Sequence, residues 1–340
     1  MNKKRIIWLD QARAIGMFVV MIGHALAAGK SKKYIYSFHM PLFFILSGMT
    51  FKNSDEKSVK DYIIDKIKKL LVPYFILNLL MIIVYLVNVE IGVRSSLTVE
   101  QLIIGTLYSS NPPYPMIVTT TWFILCLFII EMLFYIIKRI FKDDRLVFIA
   151  AILSGVIGYV NSLTITNKTL PPWHLTTALA GLVFYFLGYI FMKNVDSITQ
   201  FVGDNKKFIL ATIMLGIIGH WFAMNNARQI SMNQEKYGSI LYFYIAAICT
   251  SLAFIFVVMR IPFVKLFTFV GQNTIVYLGT HSPIIAMFKK LFPFFAENNT
   301  NAIMLCVLLY FALIPVSMLI MKIPGMRWKK KIVQPVALQN

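Results

Sequence analysis

Ten stretches of this chain, at residues 6–28, 38–52, 70–89, 119–138, 146–161, 173–192, 207–224, 239–260, 265–288 and 301–321, are apolar runs joined by short polar or charged segments. A helix needs about 20 such residues to cross a bilayer core, whereas a membrane barrel would show alternating segments of roughly ten. The chain is therefore expected to be all-α: a polytopic integral membrane helical bundle of about ten transmembrane helices, one domain over 1–340. Its hydrophobic content of 58% agrees, since soluble domains hold roughly 45–50%. The second run is short and contains Pro41 and Gly48, so it is expected to be broken or only partly inserted. No internal repeat, low-complexity tract or appended soluble domain is evident.

A net charge of +19 would suggest a nucleic-acid partner in a soluble protein. In a polytopic one, the placement of Lys and Arg reports orientation instead. With the N-terminus inside, 23 of the 33 basic residues fall on inner segments and 9 on outer joints, with Arg13 inside the first run. Both termini are thus expected to be cytoplasmic, and no nucleic acid is expected as a partner. Lys30, Lys32 and Lys33 run against the pattern, in an outer joint.

Lys3, Lys4 and Arg5 ahead of an apolar run, with Ala25 to Ala28 after it, also fit a cleaved signal. Such a segment has no use for Asp10, Arg13 and His24. Cys126, Cys249 and Cys306 fall within predicted spans, where neither a disulfide framework nor a zinc site is expected. Asn167-Lys168-Thr169 and Asn298-Asn299-Thr300 match the glycosylation pattern, which matters only in a eukaryotic secretory pathway.

The first run, "LDQARAIGMFVVMIGH", carries charges where a lipid-facing helix would have none. Arg13 and His24 are eleven residues apart, which at 100° per residue comes to within about 20° of three whole turns and a rise of roughly 16 Å. Asp10, three residues before Arg13, joins the same stripe and can pair with it across one turn. An unpaired charge at the bilayer centre costs roughly 2.5–3.5 kcal/mol on insertion scales, so this face is expected to look into the bundle. Spacing alone leaves two readings open for Asp10 and Arg13: an ion pair that sets helix depth, or part of a site. His24 is likewise either a neutral imidazole satisfied by a carbonyl or a reactive group.

All five histidines, His24, His39, His174, His220 and His281, fall toward the outer side of the predicted topology. Histidine suits proton transfer near neutral pH, so chemistry is expected near the outer leaflet. No histidine pair has the helical spacing of a metal motif and few outer carboxylates are at hand, so no metal is expected. His174 follows Pro171-Pro172-Trp173 at a helix start and reads as structural or substrate-facing.

Several segments carry a family resemblance. An Arg, ten residues and a His in the first run, followed by "YSFHMPLFFILSGM" (Tyr36–Met49), resemble acyltransferase family three, in particular its fucose O-acetylase-like branch. "KIKKLLVPYF" (Lys66–Phe75), "TWFILCLF" (Thr121–Phe128) and "FVGQNTIVYLGTH" (Phe269–His281) are similar to later family segments, in the expected order. The resemblance implies a single transmembrane acyltransferase domain. Its expected activity is transfer of an acetyl group from cytosolic acetyl-CoA to a hydroxyl of an extracytoplasmic or lipid-linked saccharide.

By resemblance, His24 is the catalytic residue, with Arg13 and its neighbour Asp10, and Arg13 helps to hold the acyl donor. Lys66, Lys68 and Lys69 stand where CoA phosphates could bind, although positive-inside anchoring explains them equally well. His39 is a partner to His24, an acceptor ligand or a helix-start residue bonded to a loop. His281 could bind the acceptor or orient the acyl carbonyl. Trp122 and Trp173 could stack on a sugar ring or mark the interface, and Asn273 reads first as a packing residue. Lys69 stands where many members carry Arg, and the appended hydrolase-like domain of many members is not found.

The partners expected are acyl-CoA, a saccharide or glycolipid acceptor and the lipid bilayer, here a bacterial plasma membrane, with a homo-oligomer left open. The rival reading is a proton-coupled or small-solute transporter that lines its path with the same charged stripe.

Overall fold

The apolar runs fold as helices whose polarity sorts them into an interior and a lipid-facing shell. The computed structural model describes residues 6–51, 58–164 and 169–326. Lys3, Lys4, Arg5 and the glycosylation pattern at Asn167 lie outside the described residues. In chain order the helices are α1 (Ile7–Ala25), α2 (Lys30–Gly48), α3 (Val59–Glu90), α4 (Val99–Tyr108), α5 (Trp122–Ile140), α6 (Asp144–Thr164) and α7 (Leu175–Lys193). They continue as α8 (Val195–Gly203), α9 (Asn205–Asn225), α10 (Ile240–Met259), α11 (Lys265–Gln272), α12 (Thr274–Leu291), α13 (Phe294–Glu297) and α14 (Asn299–Ile320).

Among the described residues, seven helices are long and apolar enough to cross a membrane: α3, α5, α6, α7 with its preceding turn, α9, α10 and α14. The chain is a multi-pass membrane bundle. The outer shell shows its apolar side chains, for example Leu153 and Ile157 on α6 and Leu210 and Ile217 on α9, all more than half exposed. A bilayer would cover them. The three remaining runs, α1, α2 and the α11–α12 pair, are more polar and pack against one another and against α7, α10 and α14.

The contacts also fix which ends lie together. Gln11 at the start of α1 meets the α10–α11 joint, and this is the near end. Ala25, at the end of α1, and Ala27, just after it, meet Lys289 and Asn299, and this is the far end.

Three expectations are corrected. α2 is one unbroken helix that starts at Lys30 rather than a short or broken span from 38. Lys30, Lys32 and Lys33 therefore belong to its first turn. Lys32 Nζ donates to Leu26 O (3.0 Å), and Lys33 Nζ donates to Met224 O and Asn226 O (2.8 Å each). These lysines cap the carbonyl ends of α1 and α9, where a cation is favoured.

The ninth run is not one helix but two, because the chain breaks at Asn273, whose Nδ2 donates back to Phe269 O (2.8 Å). The third begins at Val59 and is π-helical over Ile67–Leu71. That widened turn precedes Pro73, whose ring crowds the carbonyl four residues back.

Glycines permit the tightest crossing. A Cβ on Gly188 of α7 would lie 1.9 Å from Ile45 O, and one on Gly48 of α2 would lie 2.0 Å from Tyr185 O. Small residues let the two backbones touch, which fixes α2 and with it His39.

Candidate active site

Local bonds turn the charged face of α1 inward. The Gln11 amide donates to Ile261 O (3.4 Å) and Pro262 O (3.3 Å), and its Oε1 accepts from the Val264 N–H (2.7 Å). Gly271 receives the Asp10 carbonyl, which a Cβ there would approach to 1.9 Å. So held, Arg13 faces α2. Its Nη2 donates to Leu46 O (3.3 Å), and its Nη1 lies 3.7 Å from Asp10 Oδ1. Asp10 is buried, while the Arg13 side chain keeps 23% of its surface exposed.

From Arg13 a cavity of about 150 Å³ extends into the bundle. Met17 and Val20 of α1, Met40, Phe43 and Ser47 of α2, Leu70 of α3, Phe123, Ile124 and Leu127 of α5, and Thr274, Ile275 and Leu278 of α12 line it. The lining is apolar apart from Arg13, Ser47 and Thr274, which suits an acyl-bearing arm with a charged group at one end.

Just beyond that lining on each of three helices is a histidine: His24 one turn after Val20, His39 next to Met40, and His281 one turn after Leu278. They converge. The His24 ring centre is 5.1 Å from that of His281 and 6.4 Å from that of His39. Tyr36 completes the group, 6.0 Å from His24 and 4.8 Å from His39.

Two of these rings have their proton assigned by a backbone bond. His39 Nδ1 lies 2.9 Å from Ile35 O, and His281 Nδ1 lies 2.7 Å from Tyr277 O. A carbonyl only accepts, so each Nδ1 carries the proton and each Nε2 of the neutral ring is an acceptor. His281 is fully buried and its Nε2 has no hydrogen-bond partner. His24, half-buried, is the nearest histidine to it. Among the described residues, no group of three or more His, Cys, Asp or Glu side chains has the geometry of a metal site.

The basic candidates lie one turn toward the near end. Lys66 Nζ pairs with Glu131 Oε2 (2.7 Å), and Lys69 Nζ with Asp65 Oδ2 (2.9 Å); Lys68 is exposed. The Lys66–Glu131 pair spans α3 and α5 one turn below Leu70 and Leu127, at the floor of the cavity. Trp122 and His174 are brought together elsewhere, with ring centres 4.9 Å apart at the far end. Trp173 donates to Leu107 O (2.7 Å), and His220, exposed on α9, packs on Tyr34.

Sequence reasoning joined Arg13 to His24 but missed Gln11, Tyr36 and Glu131. Glu131 had a signal, since it is an ionisable residue inside an apolar run. Gln11 had none, because its partners are backbone carbonyls some 250 residues away.

Residues 6–322 match the family model described as an acyltransferase domain, that of acyltransferase family three. No curated protein and no solved structure matches the chain. With nearly its whole length covered, this multi-pass membrane protein is an acyltransferase and belongs to acyltransferase family three.

Proposed function

We propose that the enzyme is an O-acetyltransferase of the fucose O-acetylase-like branch, moving acetyl from cytosolic acetyl-CoA to a hydroxyl of an extracytoplasmic or lipid-linked saccharide. The near end then faces the cytoplasm of a bacterial cell and the far end the outside. The observation that carries this reading is the apolar cavity with Arg13 at one end and three converging histidines beyond the other.

Acetyl-CoA supplies the thioester. Arg13 remains cationic at any relevant pH and attracts an anionic donor to the near end. Lys66 and Lys69 add positive potential there, although each of them, like Arg13, has a carboxylate partner. The Met, Phe and Leu lining receives the acyl-bearing arm and excludes water.

His24 takes the proton from the attacking hydroxyl as the new oxygen–carbon bond forms and the carbon–sulfur bond breaks. The same proton then passes from His24 to the departing thiolate. General base catalysis of this kind contributes roughly 10²–10⁴-fold. His281 acts through His24. Two imidazoles bonded nitrogen to nitrogen need ring centres about 5 Å apart, from roughly 1.1 Å per ring and about 2.9 Å between nitrogens. The 5.1 Å separation meets this. A rotation of the His24 ring lets its N–H donate to His281 Nε2, which leaves the other His24 nitrogen as the base. His39, with the same tautomer, and Tyr36 border the acceptor hydroxyl.

The test is a proteoliposome assay with acetyl-labelled acetyl-CoA, following label into a saccharide pool. Wild type is expected to transfer label, and His24→Ala and Arg13→Ala to lose transfer while remaining folded. Undiminished transfer by folded His24→Ala would overturn the assignment.

A further inference from the structure

A second pocket, of about 70 Å³, opens among the far-end loops. Asn111, Thr119, Trp122, His174, Asn233 and Gln234 line it, with Met116 in its wall. They come from the segment before α5, the turn before α7 and the loop between α9 and α10. Three chain segments widely separated in sequence thus present polar side chains to one point.

His174 is the feature that points to a ligand. It is 1% exposed and lines the pocket, yet neither ring nitrogen has a hydrogen-bond partner; the Ser109 backbone lies near the ring without hydrogen-bonding geometry. Buried polar atoms are rarely left so, because each unmade bond costs free energy. A neutral imidazole offers one donor and one acceptor, which is what a hydroxyl group also offers.

The two amides point the same way. Asn233 Oδ1 accepts from Ser231 Oγ (2.8 Å) and Gln234 Oε1 from Lys236 Nζ (3.1 Å). Their NH₂ ends remain as donors for a ligand oxygen. No Lys, Arg, Asp or Glu lines the pocket, and the adjacent Lys236 and Glu235 are engaged by Gln234 and by the Thr176 and Thr177 hydroxyls, so a charged ligand would lose its water without a partner in the lining. The Trp122 indole adds an apolar ring surface to this polar set.

We infer that this pocket binds the edge of a neutral, hydroxyl-rich sugar ring of the acceptor and discriminates against charged sugars. The inference rests on the saccharide acetyltransferase reading above and adds the acceptor's recognition site and charge class. One segment links the pocket to the wall of the apolar cavity. Thr120 Oγ1 donates to Leu278 O (2.7 Å), one turn before His281, and Phe123 lines the apolar cavity. A ring held against Trp122 therefore anchors the acceptor beside the site while its reacting hydroxyl lies elsewhere on the molecule.

The experiment uses the full-length protein in detergent and three probes with the same ring: methyl β-galactoside, galacturonate and galactosamine. Binding is read by saturation-transfer NMR and calorimetry, and acetyl transfer is followed separately. Wild type is expected to bind the neutral glycoside in preference to both charged ones. Asn233→Ala should weaken that binding about tenfold, the loss of one or two hydrogen bonds, with kcat held and acceptor KM raised. Gln234→Glu should shift preference toward galactosamine, a gain that misfolding cannot produce.

Equal binding of all three sugars, no binding of the neutral one, or unchanged affinity and preference in both variants would each overturn the inference. If transfer to saccharides proceeds with acceptor KM unmoved in both variants, the pocket assignment fails and the acetyltransferase reading stands. Variant-sensitive neutral binding without transfer to any saccharide would keep the pocket and remove that reading.

Discussion

Replacing His281 separates its two nitrogens. In His281→Asn, the side-chain Nδ2 occupies the place of Nδ1 and can still donate to Tyr277 O, but the acceptor at Nε2 is gone. In His281→Gln, Oε1 reaches the place of Nε2 and the bond to Tyr277 is lost. If Nε2 holds the N–H of His24 as that ring becomes cationic, the bond belongs to the charged class, about 1.5–3 kcal/mol. At about 1.4 kcal/mol per decade, the Asn variant should lose roughly 10- to 150-fold in kcat.

The KM values for donor and acceptor should stay within about twofold, since the interaction strengthens only as the proton is transferred. The Gln variant should recover most of the rate. Initial rates of CoA thiol release at saturating acetyl-CoA and acceptor provide the assay. An active Asn variant beside an inactive Gln variant would show that the Tyr277 bond, a structural role, is what His281 supplies, and would refute the positioning argument.

Two further outcomes follow from other pairs. Lys66 and Glu131 are 15% and 7% exposed, so Glu131→Gln strands a mostly buried ammonium and should destabilise the protein by about 3 kcal/mol, whereas Lys66→Met with Glu131→Leu should restore stability. Thermal unfolding in detergent reads both, and full transfer by the double variant would relieve Lys66 of any donor-binding role. Burial lifts the Glu235 carboxyl above its ordinary 4.5, although the Thr176 and Thr177 hydroxyls donate to it. A raised acid favours folding below its unfolded value, and that contribution is lost as pH rises through the folded value. Glu235→Gln is therefore expected to melt above wild type at pH 7, with the gap closing as pH falls below 4.5. A gap that widens on acidification would contradict the assignment.

Hydropathy made the shell of the bundle legible, and its weakest runs proved to be the interior. α1, α2 and the α11–α12 pair carry Arg13, His24, His39 and His281, and the polarity that blurred them as spans comes in part from those residues. Helical spacing was enough to join Arg13 to His24, since both lie on one helix. The convergence of His39 and His281 was not readable, because it depends on the α2–α7 glycine crossing and on the break at Asn273. Lys30, Lys32 and Lys33 misled for a related reason. Charge counting reads lysine as orientation, whereas Lys32 and Lys33 serve here as caps for the carbonyl ends of two other helices. The pocket around His174 gathers residues from three loops, and no periodicity within any one of them announces it.

The central claim is that the donor enters at the near end and the hydroxyl is acetylated at the far end. Proteoliposomes of one orientation, with acetyl-CoA confined to the side of the chain's N-terminus and a membrane-impermeant saccharide acceptor confined to the other, test it directly. The account predicts acetylated saccharide in this arrangement, loss of product in Arg13→Ala and His24→Ala, and none when the two compartments are exchanged. Product only when donor and acceptor share one compartment would contradict it.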